Sequence, residues 1–83
     1  MNNLEETINL MESEDFKERF KAEYWQTKIR YEKLKKMTTK YEAKTLNFEP
    51  KCSLEVLKEQ QYHMGMYLHW LEIRAEIEDI ELE

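Results

Sequence analysis

Small or apolar side chains recur at Leu54, Leu57, Met64, Leu68, Leu71 and Ala75, at alternating steps of three and four residues that only Gln61 interrupts. That period keeps one stripe on one side of a helix. A second stripe, Val56, Tyr67, Trp70 and Ile77, runs beside the first. The spacing therefore predicts a long helix over residues 53–80, capped by Ser53, with two faces that each need a neighbour. The chain's one glycine, Gly65, falls in the middle of this helix. It costs about 1 kcal/mol there relative to alanine, so it marks a close approach by another backbone or by a ligand.

A similar stripe, Phe16, Phe20, Tyr24, Thr27, Tyr31, Leu34, Thr38 and Tyr41, predicts a first long helix over residues 15–44, with Trp25, Ile29 and Met37 on another side. Ser13 is placed to cap it, with Glu14 and Asp15 at its positive end, and the Thr38-Thr39 pair weakens its last turns. Leu4, Ile8 and Met11 share a face, which predicts a short helix or docking arm over residues 3–12. Between the long helices, residues 45–52 hold Pro50, which biases Glu49 away from helical geometry. So short a connection forces the helices antiparallel. The acidic residues 76–83 are expected to lose order towards their end, since like charges crowd there.

The fold class is all-α: one domain over residues 1–83, an antiparallel two-helix hairpin with a short N-terminal helix and arms of about 40 Å. Two rods cover each other on one side only, so the remaining apolar faces predict a homo-oligomer. Its expected seams are Trp25, Ile29, Met64, Gly65, Leu68, Trp70 and Leu71.

Composition adds compartment and charge. With one cysteine, Cys52, no intramolecular disulfide forms and a reducing compartment is expected. No apolar run approaches the roughly 18 residues of a membrane span, and the N-terminus lacks the basic start of a signal peptide, so a soluble cytosolic protein is expected. The net charge of -5 is uneven: residues 17–44 hold ten of the 13 basic and four of the 18 acidic residues, giving +6 there and -11 elsewhere. A positive rod in an acidic protein suits a small anion better than DNA, although a solvated basic face has the same composition.

Catalytic chemistry is poorly supplied. There is no glycine-rich phosphate loop and no serine with a histidine and acid partner, and His63 and His69 point to different sides of their helix without a Glu-x-x-His metal spacing. Neither an enzyme nor a cofactor or metal is expected. Binding chemistry is richer. Lys28, Arg30, Lys33 and Lys36 lie among Tyr24, Trp25 and Tyr31, placing phosphate donors near rings that stack on bases. The same tyrosines also fit a helix core. Gln60, Tyr67 and Arg74, seven apart, share a face that fits a subunit seam, where Arg74 meets either an anion or Glu78.

The run Glu23-x-x-Gln26-x-x-x-Arg30-x-x-Lys33-Leu34-x-x-Met37, followed by Leu57-x-x-Gln60-x-x-x-Met64-x-x-Tyr67-x-x-x-Leu71-x-x-Arg74, resembles a family of small helical-hairpin proteins of phages and prophages. That family, first met among crAss-like phages, is grouped with the anti-CBASS and Thoeris anti-defence sponges. The resemblance spans about residues 16–80. It implies a compact oligomer, often a hexamer, in the cytoplasm of a bacterial host, which sequesters cyclic nucleotide immune signals without cleaving them. Cyclic dinucleotides or cyclic ADP-ribose-type molecules are implied between protomers, and cyclic trinucleotides at a three-fold axis in some members. Arg30 and Lys33 match cationic positions on the first helix, and Gln60, Tyr67 and Arg74 match the second; Tyr24 and Lys28 rest on helix geometry. The alternative reading is a helical interaction module that docks on and blocks a host or phage protein.

Overall fold

The computed structural model describes residues 1–83 as an all-helical chain without strands. One turn of 3-10 helix, Leu4–Thr7, runs into α1, Ile8–Met11; α2 is Phe16–Ala43 and α3 is Leu54–Ile77. The molecule measures 43 × 25 × 18 Å, the long axis being the length of α2. No helix is long and apolar enough to cross a membrane.

The 3-10 turn, α2 and α3 each start with a side-chain cap, whereas α1 continues the 3-10 turn and has none. Asn3 accepts from the Glu6 amide, Asp15 from the Lys17 amide, and Ser53 from the Val56 amide. Asp15 thus takes the role expected of Ser13. The Ser13 hydroxyl instead donates to Glu18 Oε1 at 2.7 Å and accepts from the Asp15 amide, because the chain turns once more before α2 begins. The end of α2 does not fray at its threonines: Thr38 is buried, and Lys44 closes the helix in the left-handed region (φ 60°), with the Thr45 amide reaching back to Lys40 O at 2.9 Å.

The acidic tail is ordered, contrary to the expectation from its charge. Asp79 takes the left-handed conformation (φ 57°), and the Ile80 amide bonds Ala75 O at 2.8 Å, so the chain folds back. Ile80 is then buried in one cluster with Phe20, Tyr24, Leu68, Leu71 and Ala75, with Trp25, Tyr31 and Leu82 packed against it. Apolar burial and this αL stop outweigh repulsion among glutamates that water screens.

The N-terminal arm lies along α2. Thr7 is fully buried; its hydroxyl donates to Leu4 O at 2.6 Å and accepts from Gln26 Nε2 at 3.0 Å, and Gln26 also reaches Met11 Sδ. Ala22 and Ile29 of α2 are buried as well. Three sides of α2 are therefore spoken for in unequal measure: α3 on one, the arm on a second, and solvent on the third.

Candidate functional site

Lys17 and Arg19 of α2 donate to Asp79 O and Ser13 O, and the basic residues further along the helix stand on more open surface. Lys33, Lys36 and Lys40, at steps of three and four, share one side of the helix. Lys28, Lys33 and Lys36 border a hollow of about 230 Å³ together with Trp25, Ile29, Glu32, Met1 and Asn2. Lys28 is half-buried and sits 3.8 Å from Glu32. Beyond this hollow, Lys33 and Lys36 also wall a second groove of about 370 Å³, which Lys40, Met37 and the turn residues Thr45, Leu46, Asn47 and Phe48 complete. Lys33, Lys36 and Lys40 make no ion pair, and Glu42 is taken by Lys58 at 2.8 Å. Arg30 is exposed on α2 with no side-chain partner.

The remaining candidates lie elsewhere. Tyr24 is buried in the hairpin, donating its hydroxyl to Glu72 Oε2 at 2.8 Å. Burial, then the Glu72 bond and its charge, push the phenol above the usual tyrosine range. The hollow that Tyr24 lines, with Trp25, also holds Glu72, Glu76, Glu81 and Glu83, so it repels anions. Tyr67 donates its hydroxyl to Glu23 of α2. Arg74 is bonded through Nε to Glu78 at 2.8 Å, which favours its charged form, and its guanidinium lies 5.0 Å from the ring centre of Phe20 and 5.9 Å from that of Phe16. Gln60 is exposed and touches only Met64 Sδ, at 3.9 Å. Of the ligand candidates, the structure brings Lys28 and Lys33 together and sets Tyr24, Gln60, Tyr67 and Arg74 apart from them.

The residues expected at oligomer seams divide similarly. Leu68 and Leu71 are buried in the chain's own core, and Ile29 is buried on α2. Trp25 is half-buried, its indole donating to Leu82 O at 2.6 Å. Met64 is half-buried, and Gly65 faces α2: a Cβ there would stand 3.2 Å from Tyr31 Cε1. Trp70 alone among them is exposed. It stands with Val56, Met66, Tyr67 and Ile77 on the outer side of α3, where exposures run from 42% for Met66 to 77% for Ile77.

Sequence reasoning missed the turn. Leu46, Asn47 and Phe48 read as a connection, although an aromatic side chain in so short a loop was a signal in itself; Phe48 is 56% exposed. Met1 and Asn2, at the rim of the smaller hollow, carried no pattern. His63 meets Glu59 at 3.5 Å in solvent, and no three His, Cys, Asp or Glu side chains are grouped to hold a metal ion.

A protein-family model described as Sequestin matches residues 14–77, which covers α2, the turn and α3. No curated protein and no solved structure matches the chain.

Proposed function

The chain belongs to the Sequestin family, and from that premise we propose that it is a non-catalytic sponge that captures a cyclic nucleotide immune signal and lowers its free concentration. The cargo is a cyclic di- or trinucleotide or a cyclic ADP-ribose-type molecule, and the setting is a phage protein acting in the cytoplasm of its bacterial host. The family description supports sequestration. The observation that carries the nucleotidic cargo is the open side of α2, where Lys33, Lys36 and Lys40 are unpaired while the nearby Glu32 and Glu42 face other lysines. Unpaired ammonium groups meet phosphates without first breaking internal ion pairs. Arg30 adds a planar donor suited to a phosphate.

Assembly is part of the same reading. The accessible surface is 6427 Å² for 10.3 kDa, against about 5,400 Å² expected of a compact monomer of that mass. The radius of gyration, 14.9 Å, exceeds the roughly 12 Å of a compact domain of this length. The excess is comparable to one side of a standard interface, about 800 Å². The stripe of Val56, Met66, Tyr67, Trp70 and Ile77 is the surface that a homo-oligomer, a hexamer in the proposed form, would cover. Tyr67 and Arg74 are held by Glu23 and Glu78 within one chain. Their part in binding belongs to an assembly in which a neighbouring copy or the ligand competes for those carboxylates.

Titration calorimetry of the purified oligomer against cyclic di-GMP, cyclic di-AMP, a cyclic trinucleotide and cyclic ADP-ribose tests the proposal. Saturable binding with the ligand recovered intact is expected. A folded oligomer silent across that panel would falsify it. The same apolar stripe favours a second reading, a module that docks on a host or phage protein. That reading predicts a monomer in isolation that enters a complex in host extract.

A further inference from the structure

Nothing in the local sequence stops α3 at Ile77. Residues 78–83 are Glu-Asp-Ile-Glu-Leu-Glu, without glycine or proline, and glutamate and leucine are good helix formers. The stop is made at Asp79, whose φ of 57° is the left-handed conformation that glycine usually takes just beyond a helix end. Contacts from far along the chain hold it there. Ile80 is buried among Phe20, Tyr24, Leu68, Leu71 and Ala75, the Trp25 indole donates to Leu82 O at 2.6 Å, and Lys17 Nζ donates to Asp79 O at 3.1 Å.

Ile80 has a second place open to it. On the outer side of α3, Tyr62, Met66, Trp70, Ile73 and Ile77 follow one another at steps of four, four, three and four, and all but the half-buried Ile73 are exposed. In a continued α3, Ile80 would fall three residues beyond Ile77 and seven beyond Ile73, on that outer row and away from Leu68, Leu71 and Ala75. The backbone at Asp79 therefore decides which side of α3 receives Ile80. Glu76, Glu78, Asp79, Glu81 and Glu83 would stand at the negative end of a continued helix, which favours the folded-back form in the isolated chain.

We infer that residues 78–83 are a strap with two forms. Folded back, Ile80 closes the core of a single chain; continued as helix, the strap lengthens the outer row of α3 and uncovers Trp25. The occupant of that row is a second copy, on the strength of the surface in excess of a compact monomer's. Self-association through the row draws the strap into its helical form, because a second copy covers Ile80 there and cannot reach it in the core. Closure of the tail and assembly thus oppose each other, and the tail sets the concentration at which copies associate. That opposition rests on the assembly reading above; the two forms of the strap do not.

Asp79→Ala and Asp79→Gly test this in the full chain. Asp79 is exposed and Lys17 holds its backbone carbonyl, so neither substitution removes a packed or bonded side chain. Alanine favours the helix and glycine the left-handed stop, so the ratio of continued to folded-back form should differ between the two variants by about tenfold or more. In dilute solution, NMR Cα shifts of residues 80–83 should be non-helical in wild type and Asp79→Gly, with the Trp25 indole N–H slow to exchange. In Asp79→Ala the shifts should move towards helical values through Leu82, and the indole should exchange faster. Sedimentation equilibrium should find Asp79→Ala associating at lower concentration than wild type and Asp79→Gly at higher. A tail that stays folded back in Asp79→Ala, or comes loose without becoming helical, would overturn the strap. Helical extension with equal association of all three proteins would overturn the opposition to assembly alone. Helical extension in chains that stay monomeric at every concentration would remove the assembly reading and the opposition together, and leave the strap standing.

Discussion

Gln61 is the polar residue that breaks the apolar stripe of α3, and its position is resolved by one contact: Thr38 Oγ1 donates to Gln61 Oε1 at 2.5 Å across the hairpin. Thr38 is 3% exposed, so the pair replaces an apolar contact in the helix seam. Thr38→Val should cost about 1 kcal/mol, because it strands a half-buried amide oxygen. Gln61→Leu should cost less, since Thr38 can still donate to Lys35 O. The double variant should be at least as stable as wild type, and urea unfolding of the four proteins measures the coupling; strict additivity would show that the pair is incidental. Tyr24 gives a pH-dependent counterpart. Its phenol titrates higher in the folded chain than the ordinary value near 10. It therefore contributes stability that is complete below pH ~10 and is lost as pH rises through the raised value. Wild type should lose stability above pH ~10 more steeply than Tyr24→Phe, by up to about 1.4 kcal/mol per pH unit, in unfolding curves collected from pH 8 to 11. Equal slopes would detach Tyr24 from the effect. Gly65 at this scale is a packing residue of the hairpin, with Tyr31 as its neighbour.

Among the elements, the tail and the N-terminal arm convert a bare hairpin into a closed unit. The tail turns at Asp79, buries Ile80 and presents Leu82 O to the Trp25 indole. Ile80→Asn should cost about 2 kcal/mol in chemical denaturation and release the tail from Trp25. Tryptophan emission in native buffer should then shift to longer wavelength; an unchanged spectrum would show that Trp25 does not depend on the tail. The arm acts on the other side, where Thr7 and Gln26 lock it to α2. Much of the architecture was legible at this level: helical period located both rods, Ser53 the start of α3, and the short connection their antiparallel path. The arm's docking side and the fold-back of the tail were not, since a few apolar residues show amphipathicity without showing which surface receives them.

At the scale of the whole molecule, what distinguishes the chain is its surface. An elongated body with an apolar stripe on the outer side of α3 and an ammonium-rich side on α2 is suited to self-association and to anion capture, on different elements. Trp70→Glu separates the two. The residue is 60% exposed, so monomer helicity and stability should stay within about 0.5 kcal/mol of wild type. A carboxylate buried at a seam would be costly, so the proposed oligomer should dissociate at micromolar concentration. Sedimentation velocity reads the outcome, and an unchanged sedimentation coefficient would exclude Trp70 from the seam.

Local pattern alone determined that this chain makes helices, that α3 begins after Ser53 and that the charges segregate, because period, that cap and charge order are properties of neighbouring residues. It marked Trp25, Ile29, Leu68 and Leu71 as needing cover and Lys28 and Lys33 as cationic. Tertiary structure decided what covers each of them: the arm and tail take apolar surface that two isolated rods would offer to other copies, and internal carboxylates take Tyr24, Tyr67 and Arg74. It also carried Phe48 to the lysines of α2. Which surfaces remain open is a property of the packed chain, since it depends on where residues far apart in sequence come to rest.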